Sequence, residues 1–262
     1  MSLNYFNQPN HSNWALDVVG QANTSSTVKI AIVDSGINKT LPALKHINFK
    51  EFNTLNPQQK IVDDFGHGTA IAGIIAAKSN ELEGVLKDVV IYDVKVLDSK
   101  GQGEVNNVIE GIDWSIKNKV DVINISFGFS VEYLKLKQAI ERAVDSGILV
   151  VAAAGNTLGL SEDYPAKYEG VISIGSLTKD LNLASHSSTN ADFLMPGEDV
   201  LSLNKENDFT TFTGTSFAAA YASAVIGAIK KKESISSYNE FQELVENYVV
   251  FNNKSKVLTL KK

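Results

Sequence analysis

An aspartate, a histidine and a serine occur in this chain in that order, each in a local setting that acyl-transfer chemistry could use. Asp34 ends the apolar run Lys29-Ile30-Ala31-Ile32-Val33 and is followed by Ser35-Gly36. His67 stands in Asp64-Phe65-Gly66-His67-Gly68-Thr69-Ala70, and Ser216 in Gly214-Thr215-Ser216-Phe217-Ala218-Ala219-Ala220. A fourth segment, Ala152-Ala153-Ala154-Gly155-Asn156, carries a carboxamide. A serine hydroxyl is a poor nucleophile at neutral pH and needs a base within hydrogen-bond reach. His67 would take the proton of Ser216 and return it to the leaving amine. Asp34 would hold the imidazole in the required tautomer and stabilise the imidazolium. Asn156 would donate a side-chain N–H to the oxyanion beside the backbone N–H of Ser216.

Each piece alone has a plainer reading. An aspartate ending an apolar strand often caps a helix or binds a metal. A histidine between glycines can be a turn residue, and Gly155-Asn156 is an ordinary turn signal. Ser216 could simply cap the alanine-rich helix that follows. The order and the flanking residues taken together resemble the subtilisin-like serine proteases, over about residues 14–229.

Elements must bring these four segments together. Apolar runs at 28–33, 90–96, 120–125, 148–153 and 171–174 read as buried strands. Helical patterns fall at 69–77, 106–117, 133–145 and 216–231; the third ends before Gly147, and the last ends in Lys230-Lys231-Lys232, cations that suit the negative end of the helix dipole and read as a solvated helix end. One more amphipathic helix is expected at 238–249. The alternation implies an α/β fold with a mostly parallel twisted sheet and helices on both faces. The resemblance implies the three-layer subtilisin-like arrangement of that fold, in one peptidase domain over 1–262 with no pro-domain and no accessory domain.

The resemblance also implies a cleft that binds peptide as an added strand. Gly101-Gln102-Gly103 matches the glycine-rich strand on the non-primed side, and Ser126-Phe127-Gly128 matches the strand that walls the S1 pocket. Asp163, before Tyr164-Pro165, matches the back of S1, where a carboxylate would favour Arg or Lys at P1. The plainer reading of Glu162-Asp163 is a solvated loop. Three positions depart from the family: Ala70, Ala220 and Tyr221 stand where a histidine, a proline and a histidine are common. Calcium is not expected as a cofactor. Leu41-Pro42-Ala43-Leu44 offers no carboxylate, and 78–83 is short, although Asn80, Glu81 and Glu83 are oxygen donors.

Composition bounds the rest. The chain has 262 residues, is 44% hydrophobic and 21% charged, and carries a net charge of −6. That fits a globular protein and gives no support for nucleic-acid binding. There are no cysteines, so neither a disulfide scaffold nor a thiolate metal site is possible. No apolar run reaches the roughly 18 residues of a membrane span. Met1-Ser2-Leu3-Asn4-Tyr5 opens with no secretory signal, which points to a cytoplasmic enzyme, or to a secreted one whose signal and pro-domain have been removed. The expected activity is a serine endopeptidase with a restricted substrate, such as the leader of a lantibiotic precursor. General intracellular proteolysis and a pseudoprotease on the same fold are the alternatives.

Overall fold

The computed structural model describes residues 13–22, 24, 26–252 and 255–261, so the opening residues read above for a signal lie outside it. Seven parallel strands form the central sheet: β1 (Val28–Asp34), β2 (Asn48–Asn53), β3 (Val89–Lys95), β4 (Val122–Ile125), β5 (Leu149–Ala153), β6 (Val171–Leu177) and β7 (Phe193–Pro196). Their spatial order is β2-β3-β1-β4-β5-β6-β7. Two antiparallel hairpins follow, β8 (Val200–Leu203) with β9 (Phe209–Phe212) and β10 (Val249–Asn252) with β11 (Ser255–Leu258). The helices are α1 (Trp14–Val19), α2 (His67–Ala76), α3 (Val105–Lys117), α4 (Leu134–Asp145), α5 (Thr215–Glu233) and α6 (Tyr238–Leu244).

β1 shows why the sheet needs two covering layers. From Ile30 to Val33 its residues are buried on both sides, so this stretch reads as an unbroken apolar run. Val28, Ile30 and Ile32 pack into the core shared with α2 and α5, while Ala31 and Val33 face the core shared with α3 and α4. The result is the three-layer α/β arrangement. β1 lies between β3 and β4, which both follow it in sequence. Chain connections leave a parallel sheet in opposite directions at such a point, and the carboxyl ends of its strands border a crevice. Asp34 ends β1, Ser126 follows β4, and Asn156 lies three residues past the end of β5.

The structure corrects several expected boundaries. β2 was not expected, because Asn48-Phe49-Lys50-Glu51-Phe52-Asn53 carries charge; it is an edge strand whose outer positions are exposed. β7, the other edge, also went unread, since it is only four residues and ends in Pro196. The helix expected at 238–249 stops at Leu244, passes through a 3₁₀ turn at Val245–Tyr248, and gives way to β10. The β-branched pair Val249-Val250 favours extended backbone there. Residues 100–104 form a turn rather than a strand. Asp98 accepts from the N–H groups of Lys100 and Gln102, and Gly103 makes a single bridge to Leu97.

Candidate active site

Asp34 is fully buried, and its Oδ1 accepts the N–H of Ser35 at 2.7 Å. Both of its oxygens lie 2.9 Å from Nδ1 of His67. His67 is the first residue of α2, and Gly66 before it has φ +98°, a left-handed conformation natural to glycine. Gly68 must also be small, because a Cβ there would lie 2.3 Å from the carbonyl oxygen of Gly36. Burial by itself would lower the imidazole pKa. The Asp34 charge and its hydrogen bond act the other way, helped by Asp63, and leave His67 above the ordinary histidine value.

Asp63 is a buried residue that the sequence reading missed. Its carboxylate accepts from the Ser35 hydroxyl at 2.8 Å, the Gly66 N–H at 2.7 Å and the Thr69 N–H at 3.0 Å, and from the Thr69 hydroxyl at 2.5 Å. It therefore caps the first turn of α2 and ties that turn to the residue after Asp34, which fixes His67 relative to its carboxylate. The sequence signal for it is an acidic residue just ahead of a helix start.

Ser216 occupies the first turn of α5, and its hydroxyl donates to the Ser126 carbonyl at 2.6 Å. The Ser126 hydroxyl donates in turn to the Ser216 carbonyl at 3.1 Å. The ring of Phe217, next to Ser216, stands 5.4 Å from the His67 ring. Asn156 is exposed, and its Oδ1 accepts the Thr215 N–H at 3.0 Å and the Thr215 hydroxyl at 3.3 Å. With the oxygen held there, the amide NH₂ is the end left to donate to a bound group. Asp34, His67, Asn156 and Ser216 thus come from segments that the fold brings to the carboxyl ends of β1, β4 and β5, the kind of grouping that acyl transfer could use.

The cleft residues divide. Residues 126–128 run on past β4 outside any ladder, and Phe129 then bridges to Tyr164. A Cβ on Gly128 would lie 2.5 Å from Cβ of Asp163, and one on Gly155 would lie 2.5 Å from its Oδ2. Asp163 therefore sits between these two glycines rather than pointing away on a loop. Its N–H donates to the Ala154 carbonyl at 3.0 Å, and its carboxylate has no hydrogen-bond or ion-pair partner among the described residues. Lys167, four residues on, instead bonds Ser161 and lies over the Tyr164 ring at 5.1 Å. Gly101 lies against Phe65, the aromatic neighbour of His67, so the turn holding Gly101, Gln102 and Gly103 borders the same crevice.

The three departures from the family lie inside the core. Ala70 and Ala220 are fully buried, and Tyr221 fills space on the same face with its hydroxyl donating to Asn13 at 3.4 Å. Ser79 closes a turn on Leu82, and Glu83 is bound by Gln21 at 2.9 Å. His46, whose pKa is lowered by burial and by the Lys78 charge, lines the same cavity as Lys78, Glu83 and Lys87. A dication there would face two ammonium groups. Among the described residues no group of three or more His, Cys, Asp or Glu could hold a metal, and no helix is long and apolar enough to cross a membrane.

Comparison with known proteins agrees with this geometry. The model of the subtilase family matches residues 25–259. The chain is 37% identical to Subtilisin DY of Bacillus licheniformis over 223 residues, covering 82% of this chain and 81% of that one. It is 33% identical to the minor extracellular protease Epr of Bacillus subtilis over 235 residues, but spans only 36% of that protein's length. A cold adapted subtilisin-like serine proteinase superposes with a TM-score of 0.85 at 25% identity, covering 96% of this chain and all of that one.

Proposed function

Since this chain belongs to the subtilase family of serine endopeptidases, we propose that it cleaves peptide bonds after Arg or Lys, using Ser216 as nucleophile. A substrate entering as an extended strand would pair with the backbone at 126–128, which lies outside any ladder, and place P1 between Gly128 and Gly155. Ser216 leaves the Ser126 carbonyl, gives its proton to His67 and attacks the P1 carbonyl carbon. The oxyanion forms against the Asn156 amide and the Ser216 N–H. His67 then protonates the leaving amine, and the acyl group is released by water activated in the same way. Asp34, sealed from solvent, stabilises the imidazolium throughout. The observation that carries the specificity is the unpartnered Asp163 carboxylate set between two glycines.

Matched peptides differing only at P1 test the specificity. Asp163→Asn should lower kcat/KM for a P1-Arg peptide about 10–100-fold, the worth of a hydrogen bond between charged groups at about 1.5–3 kcal/mol. A P1-Leu peptide should change little. A wild type that prefers a neutral P1, or a variant that loses all substrates alike, defeats the proposal.

A single recognition carboxylate suits a maturation protease that cuts one basic junction, such as a lantibiotic leader, better than a general scavenger. Incubation with such a precursor should give one cut, and denatured casein should be cut slowly. Rapid degradation of casein into many pieces would favour general proteolysis instead.

The histidine sets the acid limit of the reaction. A base must be unprotonated, and the raised pKa of His67 keeps it protonated to higher pH than an ordinary histidine. The acid limb of kcat/KM should therefore fall with a midpoint above about 6.5, the value of an unperturbed imidazole. A midpoint below that value contradicts the Asp34–His67 pairing. For metal we expect independence: because a ligand that binds only the folded state raises the melting midpoint, millimolar calcium and a chelator should give the same midpoint, and a shift of many degrees would reverse this view.

A further inference from the structure

Behind the nucleophile lies a buried polar chain that the mechanism above does not use. The Ser223 hydroxyl donates to Oδ1 of Asn124 at 2.9 Å. Nδ2 of Asn124 donates to the Ser126 hydroxyl oxygen at 2.8 Å, and the Ser126 hydroxyl donates to the Ser216 carbonyl at 3.1 Å. Asn124 and Ser223 are fully buried, and Ser126 is 1% exposed. Asn124 is a polar residue within Val122–Ile125, an otherwise apolar strand, and Ser223 lies about two turns beyond Ser216 on the same face of α5.

We infer that Ser223 is a positioning residue for the nucleophile, acting through Asn124 and Ser126. The reason is the direction of the chain. A serine hydroxyl has one proton to give. While Asn124 presents its NH₂ to Ser126, the Ser126 proton is free to hold the Ser216 carbonyl. If the carboxamide turned over, its oxygen would face Ser126, capture that proton and release Ser216. Ser223 sets the choice, because its proton needs the carboxamide oxygen as acceptor, and that oxygen would otherwise be a buried acceptor without a partner. Ser126 thus grips residue 216 by its carbonyl, beside the N–H that faces the oxyanion, and keeps the first turn of α5 aimed at the substrate. The effect belongs to the transition state, where a small error in aim is costly, and not to peptide binding.

This inference rests on Ser216 being the nucleophile, and a double-mutant cycle tests it separately. Ser223→Ala, Ser126→Ala and the double variant are compared on one P1-Arg peptide, with melting curves and fluorophosphonate titration to count active sites. Ser223→Ala should lower kcat about tenfold, the size of one neutral hydrogen bond, with KM within about twofold. Its sites should still label fully, but more slowly. The double variant should be no worse than Ser126→Ala, because both changes cut the same chain. If Ser223→Ala does not fold, Ser223→Cys, which keeps the volume and a weak donor, should show a smaller loss of kcat. An unchanged kcat in the folded variant, losses that multiply in the double variant, or an effect confined to KM would overturn the inference. A wild type that fails to label would instead defeat the nucleophile assignment itself.

Discussion

Ser216→Ala is expected to lower kcat by about 10⁶-fold, the loss that follows removal of the nucleophile from a triad of this kind. The fold should survive. The change deletes one oxygen from a half-buried position in the first turn of α5. Alanine is a better helix former than serine, so the helix loses nothing from propensity. The Ser126 carbonyl loses one donor, the Ser216 hydroxyl, which costs about 1 kcal/mol and leaves the core untouched. The melting midpoint of the variant should lie close to that of the wild type, while hydrolysis of a P1-Arg peptide falls to the background set by the oxyanion site and binding. Comparable rates in variant and wild type would end the assignment of Ser216.

Asn156→Ala should lower kcat by about 10²–10³-fold with little change in KM. The geometry explains both halves of that expectation. Thr215 holds the carboxamide oxygen through its N–H and its hydroxyl, so the NH₂ is fixed before substrate arrives and needs no reorganisation when charge develops. The donor therefore acts mainly on the oxyanion and little on the ground-state carbonyl. Asn156 is exposed, so truncation leaves the Thr215 N–H open to water rather than stranded. Steady-state kinetics on the same peptide separates the cases. A change confined to KM would make Asn156 a binding residue.

The sequence was most informative where local chemistry and local structure coincide. β1 with Asp34, the small residues around His67 and the alanine-rich start of α5 are each recognisable because a buried parallel strand and a close helix approach demand those residue types. The relation between Asp163 and the two glycines is different in kind. Gly128 and Gly155 lie 35 and 8 residues before Asp163, and only the sheet order puts all three together. Asp63 and Ser223 likewise take their roles from partners distant in sequence, Ser35 at 28 residues and Asn124 at 99. β2 and β7 were missed as edge strands, which are short or half exposed and so lack the apolar run that marks their neighbours. The 238–249 segment failed because its apolar spacing continues through the 3₁₀ turn while its backbone does not.

Labelling with a fluorophosphonate, followed by mass mapping of the modified peptide, tests the central claim most directly. The reagent reacts only with a serine made nucleophilic by its surroundings. The account predicts one label per wild-type chain, on Ser216 of the segment Gly214-Thr215-Ser216-Phe217, and none on Ser216→Ala. A wild-type chain that remains unlabelled, or carries the label on another residue, would contradict it.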